Sequence, residues 1–177
     1  RRSLMQDHPR HLAVLDAAAA RANWGKPLPN GVHRGLAQFM GYGSYSAATA
    51  EVSISSSGKV RVHRMVLALN CGHAVNPQQI EAQVEGSFVY GLSAALYGRI
   101  GFKDGRVEQG NFNDYPVLRM NEMPKVEVHI LPSTELPGGI GEPGTPPIAP
   151  AVTNALFALT GRRIRSLPID PAQLKRA

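Results

Sequence analysis

Apolar and polar positions along this chain repeat with two periods, and the switches between them mark out the elements. Residues 9–24 predict a helix. Pro9 suits a first turn, Asp7 or His8 can cap it, and the run from Leu12 to Ala20 is rich in helix formers. Gly25 and the run Pro27-Leu28-Pro29-Asn30-Gly31 end it in a turn. From Gly31 to Cys71 the period drops to two. Residues 32–39 and 48–54 read as strands, and Ser55-Ser56-Ser57-Gly58-Lys59 turns the chain into a third, residues 60–69. Alternation from Val60 to Val66 implies that this strand buries one face.

A second helix is predicted over residues 78–96, opened by Asn76-Pro77, with Ile80, Val84, Phe88, Leu92 and Leu96 recurring every four residues. Gly86 and Gly91 interrupt it, each at a cost of about 1 kcal/mol against Ala unless something approaches the backbone there. Residues 97–102 and 107–109 form a hairpin around Asp104-Gly105, and residues 126–131 a further strand. A third helix over residues 149–160 stops at Gly161, with basic residues just beyond. Residues 164–169 read as a last extended piece. Strands in hairpins with separate helices, rather than alternating βαβ units, predict an α+β fold: a mixed or antiparallel sheet with packed helices, one domain over residues 1–177.

Composition narrows the function. A chain of 177 residues can bury a full core, and with aromatics at 6% that core is aliphatic and small. The formal charge is +6, but the cations are scattered, apart from the short cluster Arg162-Arg163-Ile164-Arg165, and no aromatic ladder runs between them. No nucleic-acid surface is expected from that pattern. Cys71 is the sole cysteine, which excludes an internal disulfide and a thiolate-cluster metal site. No stretch is long and apolar enough to span a membrane. The chain opens on Arg1 rather than methionine and reads as a piece of something longer.

The candidate chemistry lies in Gly138-Gly139-Ile140-Gly141-Glu142-Pro143-Gly144-Thr145-Pro146-Pro147, where glycines and prolines crowd a single ionisable group. Such a run is a shaped loop, and Glu142 is its only acid or base. Gly139 to Gly144 imitates the G-x-G-x-x-G dinucleotide loop, but Pro146, Pro147 and Pro150 follow where a helix should open. Gly41-Tyr42-Gly43-Ser44-Tyr45 is no nucleophile elbow, because its serine stands one place too late; it reads as a small-residue loop. Only His8 and His11 among the six histidines have ligand-like spacing, on a turn that looks exposed. Cys71 reads as inert core. Gln83 lies on the polar flank of an apolar helix, three residues before Gly86. Its amide could be solvated, or could address a heterocycle lying over Gly86.

Glu142 and Gln83 together carry a resemblance. The order Cys71-Gly72-His73-Ala74-Val75-Asn76-Pro77, then Gln83-Val84-Glu85-Gly86, Gly91 to Tyr97, Asn113 to Met120 and Gly139 to Ala155 resembles the C-terminal part of a known subunit. That subunit is the molybdenum-binding large subunit of the xanthine oxidase / aldehyde oxidoreductase family, and the isoquinoline 1-oxidoreductase beta subunit branch looks closest. Asn70 departs from the pattern, since relatives often carry Asp before the Cys-Gly.

The resemblance implies a hydroxylase that oxidises an aldehyde or N-heteroaromatic substrate with water as the oxygen source. Glu142 is then the general base toward a molybdenum-bound hydroxide. Gln83, Gly86 and Gly141 would contact the cofactor, typically molybdopterin cytosine dinucleotide with Mo in bacterial relatives. The implied partners are the remainder of the large subunit and a small [2Fe-2S] iron–sulfur subunit. The family's large subunits are several times longer than this chain, so activity is expected only from the whole. The alternative from another class is a free-standing, non-catalytic cofactor-carrier or interaction domain of the same fold.

Overall fold

The computed structural model describes residues 1–174, and three helices and a four-stranded sheet organise them. Helix α1 (Pro9–Arg21) is followed by strands β1 (His33–Gly41), β2 (Ser44–Ile54) and β3 (Val60–Asn70), each antiparallel to the last. Helix α2 (Pro77–Leu96), a small hairpin of β4 (Phe102–Lys103) and β5 (Arg106–Val107), strand β6 (Lys125–Ile130) and helix α3 (Ile148–Thr160) complete the order. The sheet runs β1-β2-β3-β6, and β6 pairs with β3 in parallel.

The fold is α+β with a mixed sheet, as the pattern of elements implies. Two expectations change. Helices separate from any βαβ unit were anticipated, yet α2 is the crossover of a parallel β3–α2–β6 unit. A period of two marks a strand but not which neighbour it joins, and a parallel partner needs a crossover long enough to return the chain. The extended piece over residues 164–169 is irregular loop and joins no strand.

Helices cover both faces of the sheet. On one side Val14 and Ala18 of α1 pack against Ala47 and Ala68. On the other, Val84, Phe88 and Leu92 of α2 and Ala151, Val152 and Ala155 of α3 pack against Ala48, Met65, Leu67 and Leu69. Because both faces are covered, residues 65–70 are buried without a break, and the alternation seen at Val60 to His63 stops. A register shift after Glu51 leaves His63 as the extra residue, so the core-facing set passes from Val60 and Val62 to Met65, Leu67 and Leu69. Two glycines let the helices come close. A Cβ on Gly35 would overlap the α3 backbone at Ala151 and Ala155, and one on Gly91 would overlap Ile148. Gly91 of the apolar helix is thus a packing residue between α2 and α3.

A ladder of alternating charge crosses all four strands on the α1 side. Arg34 of β1 reaches Glu51 of β2 at 2.8 Å, and Glu51 also accepts from Arg64 of β3 at 3.3 Å. Arg64 then grips Glu127 of β6 through two bonds of 3.0 and 2.8 Å. The same two arginines cap the end of α1: Arg34 donates to the Asn23 carbonyl at 2.9 Å and Arg64 to that of Arg21 at 3.0 Å. The ladder therefore locks α1 to the sheet as well as strand to strand.

Arg64, with help from Lys125, holds the Glu127 carboxyl down at about 2. A carboxyl depressed by folding adds stability above its unfolded value of 4.5, and that stability is lost as pH falls toward 2. Thermal unfolding should thus lose on the order of 1 kcal/mol of stability between about pH 5 and 2 from this group alone. Glu127→Gln should lower the Tm at pH 7 and flatten that acid limb. An unchanged limb in the variant would remove the assignment.

Candidate active site

Residues 131–147 connect β6 to α3 and contain no strand or helix. A segment this rich in Gly and Pro has no ladder of its own, so its backbone groups need partners elsewhere. Three side chains supply them at alternate residues. Ser44 Oγ donates to the Gly139 carbonyl at 2.7 Å, Gln83 Nε2 to that of Gly141 at 2.6 Å, and Ser46 Oγ to that of Pro143 at 2.6 Å. Two serines of β2 thus hold one side of the loop and α2 holds the other.

Backbone bonds complete the attachment. The Gly139 amide donates to the Tyr42 carbonyl at 2.7 Å, the Gly138 amide to that of Cys71 at 2.8 Å, and the His73 amide to that of Glu135 at 2.8 Å. Neighbouring chain comes so near that a Cβ on Gly138 would overlap Gly43, and one on Gly144 would overlap Ser87. At the Cys71-Gly72 turn, Asn70 Oδ1 accepts from the Gly72 amide at 3.2 Å and from Arg10 Nη2 at 3.0 Å. An amide oxygen fills that acceptor role without a charge. Cys71 is buried, and burial pushes its thiol up, in keeping with a core residue.

The result is a cleft of about 450 Å³ between the β1–β2 turn, α2 and the loop. Gly141 and Glu142 of the loop and Gln83 and Gly86 of α2, far apart in sequence as pairs, all line it. Glu142 is exposed at its mouth. One N–H of the Gln83 amide is committed to the loop, which leaves Oε1 and the second N–H able to face a ligand. Gly86 differs from Gly91: a Cβ there would meet nothing within 4 Å, and the same holds for Gly141. Both glycines leave open space in the cleft wall.

Sequence reasoning missed Tyr42 and Tyr90, which also line the cleft. Gly41 pairs with Ser44, so Tyr42 and Gly43 are the two central residues of a tight hairpin turn, with φ of 58° and 76°. A tyrosine in that left-handed conformation is uncommon. The turn presents its ring to the loop, and the Glu142 carboxylate beside the hydroxyl raises the Tyr42 pKa. The phenol therefore stays protonated at neutral pH as a donor beside the acid. Ser44 and Ser46 were missed too, and their signal is present in retrospect. They are fully buried hydroxyls at alternate positions of an alanine-rich strand, which calls for a buried acceptor.

Comparison with known proteins places the chain in a family. The sequence matches the molybdopterin cofactor-binding domain over residues 16–124, so the chain belongs to that family. Gln83 and Gly86 lie inside the matched region; Gly141 and Glu142 lie beyond it. It is 35% identical to a membrane-bound aldehyde dehydrogenase [pyrroloquinoline-quinone] of Gluconacetobacter polyoxogenes, over 94% of this chain and 22% of that protein. To the isoquinoline 1-oxidoreductase subunit beta of Brevundimonas diminuta it is also 35% identical, over 96% of this chain and 22% of the relative. The chain thus spans about a fifth of the length of these relatives. Quinoline 2-oxidoreductase from Pseudomonas putida 86 shares the fold, with a TM-score of 0.67 at 22% identity over 73% of this chain and 18% of that one. Sequence thus places the chain among molybdopterin cofactor-binding domains, and the solved structure shares its fold.

Ser46→Ala leaves the buried Pro143 carbonyl without a donor, at a cost of about 1–3 kcal/mol. Its effect should concentrate in the loop. Cleavage by a nonspecific protease within residues 138–145 should rise at least about tenfold, while the far-UV spectrum stays unchanged. Equal protease resistance would mean that the serine does not hold the loop.

Proposed function

We propose that this chain is the C-terminal part of the molybdenum-binding large subunit of a hydroxylase, and that Glu142 is its general base. The observation that supports this best is the convergence of Glu142, Gly141, Gln83 and Gly86 on one open cleft. The donor set suits a flat, polar heterocycle. Gln83 Oε1 can accept from an N–H, and Gly86 and Gly141 offer backbone with no Cβ contact within 4 Å. The proposed cofactor is molybdopterin cytosine dinucleotide, which when bound supplies the redox centre and the activated, water-derived oxygen.

This chain contributes binding and proton handling. Gln83, Gly86 and Gly141 are the residues that would hold the cofactor. Glu142 takes up a proton at one of its carboxylate oxygens. Tyr42, with its hydroxyl beside that carboxylate, helps hold the oxygen's direction. Bonds from Ser44, Gln83 and Ser46 keep the loop rigid, so the base need not be ordered at the moment of reaction. The substrate class is an aldehyde or an N-heteroaromatic compound. The partners are the remainder of the large subunit and a small [2Fe-2S] subunit, so turnover belongs to the assembly. Among the described residues no helix is long and apolar enough to cross a membrane.

In the intact enzyme, Glu142→Gln should lower kcat by about 10²–10⁴-fold and leave molybdenum content near wild type. A wild-type kcat in that variant refutes the base assignment. Gly86→Leu separates cofactor space from folding. Replacing a mid-helix glycine that faces open space should stabilise α2 by up to about 1 kcal/mol, yet the added side chain should reduce bound molybdenum. Normal metal content would show that nothing approaches the helix at Gly86.

A further inference from the structure

The sheet is narrower than the helical layers that cover it. Strand β6 is its outermost strand beside β3, and a groove of about 630 Å³ runs along its free side. Val128, His129 and Ile130 form the floor. Ala17 and Arg21 of α1 wall it on one face of the sheet, and Pro77 and Glu81 of α2 wall it on the other. A helix on each side of a bare strand edge makes a slot shaped for extended chain.

The orientation of the β6 backbone follows from one bond. The Leu131 amide donates to the Leu69 carbonyl of β3 at 2.8 Å. In a parallel ladder the N–H and C=O of one residue point to the same side, and successive residues alternate. Leu131, His129 and Glu127 therefore face β3, while Val126, Val128 and Ile130 turn their amides and carbonyls into the slot. All three are only partly buried, and their side chains pack on the α2 side of the core. His129 lines the slot, and its Nε2 is buried without a hydrogen-bond partner among the described residues.

We infer that this slot receives an extended segment from the remainder of the large subunit, which adds a fifth strand beside β6. Only main chain offers donors and acceptors at the two-residue spacing of Val126, Val128 and Ile130. The occupant is polypeptide from outside this chain, because the chain spans about a fifth of its relatives' length. A second copy fits less well, since edge-to-edge pairing would bring two pairs of overhanging helices into one space. The incoming strand places apolar side chains against the α2 side. This inference rests on the reading of the chain as part of a larger subunit.

Amide hydrogen exchange on the assembled enzyme, resolved to single residues, tests it. Glu127 and His129 serve as internal controls for the β3 ladder. Val126, Val128 and Ile130 should exchange within about tenfold of those controls. Exchange about 100-fold faster at these three residues overturns the added strand. Protection that varies with enzyme concentration would also overturn it, in favour of a second copy. Val128→Pro in the full-length polypeptide should deprotect Val126 and Ile130 and spare Glu127 and His129. Loss at both sets alike would overturn the orientation of β6. The intact mass of the native polypeptide reports separately on the underlying reading, because a mass near the 19.0 kDa of this chain sinks that reading and the inference together.

Discussion

A loop of glycine and proline cannot hold itself, and this structure is arranged around that constraint. The segment carrying Glu142 makes no ladder, yet its carbonyls at Gly139, Gly141 and Pro143 are each taken by a side-chain donor. Two donors stand on a sheet strand and one on a helix, so the loop inherits the rigidity of both. Such bonds contribute modestly one by one, but leaving a buried carbonyl unmatched is costly, which makes the attachment specific. Glu142 projects from a fixed backbone into an open cleft.

That arrangement depends on a scaffold in which β2 and α2 cannot shift relative to each other. Small residues make this possible. Alanines at 47, 48, 50 and 68 let helices sit close on both faces of the sheet, and Gly35 and Gly91 remove the last side-chain obstacles to α3. The charge ladder from Arg34 to Glu127 ties the four strands together at the far end and caps α1. Its members are half-buried and bonded on several sides, so it constrains more than an exposed pair of the same length would.

Several residues that line the cleft are marked in the chain, for identifiable reasons. Glu142 stands alone as an ionisable group among residues that restrict the backbone, and Gln83 stands three residues before a glycine that a helix would otherwise avoid. Local composition marks such positions. Tyr42 carries no comparable mark, and the alternate residues Ser44 and Ser46 only show that some buried acceptor is needed, because their roles depend on a loop about a hundred residues away. Gly86 and Gly91 show the limit most directly. Both interrupt the same apolar helix at similar cost, yet Gly91 admits Ile148 and Gly86 faces open space. No periodicity separates the two.

The sequence by itself determined the helices and the main strands, because the apolar period records which face of each segment must leave water. It also determined the membership of the chain, since ordered motifs survive whether or not their contacts are known. Tertiary structure alone decided that β6 runs parallel to β3, that helices bury both faces of the sheet, and that a hairpin turn, a helix and a loop meet at one cleft. These are choices of neighbour. They rest on which distant surfaces fit and which buried polar groups find partners, and neither property is local to any stretch of chain.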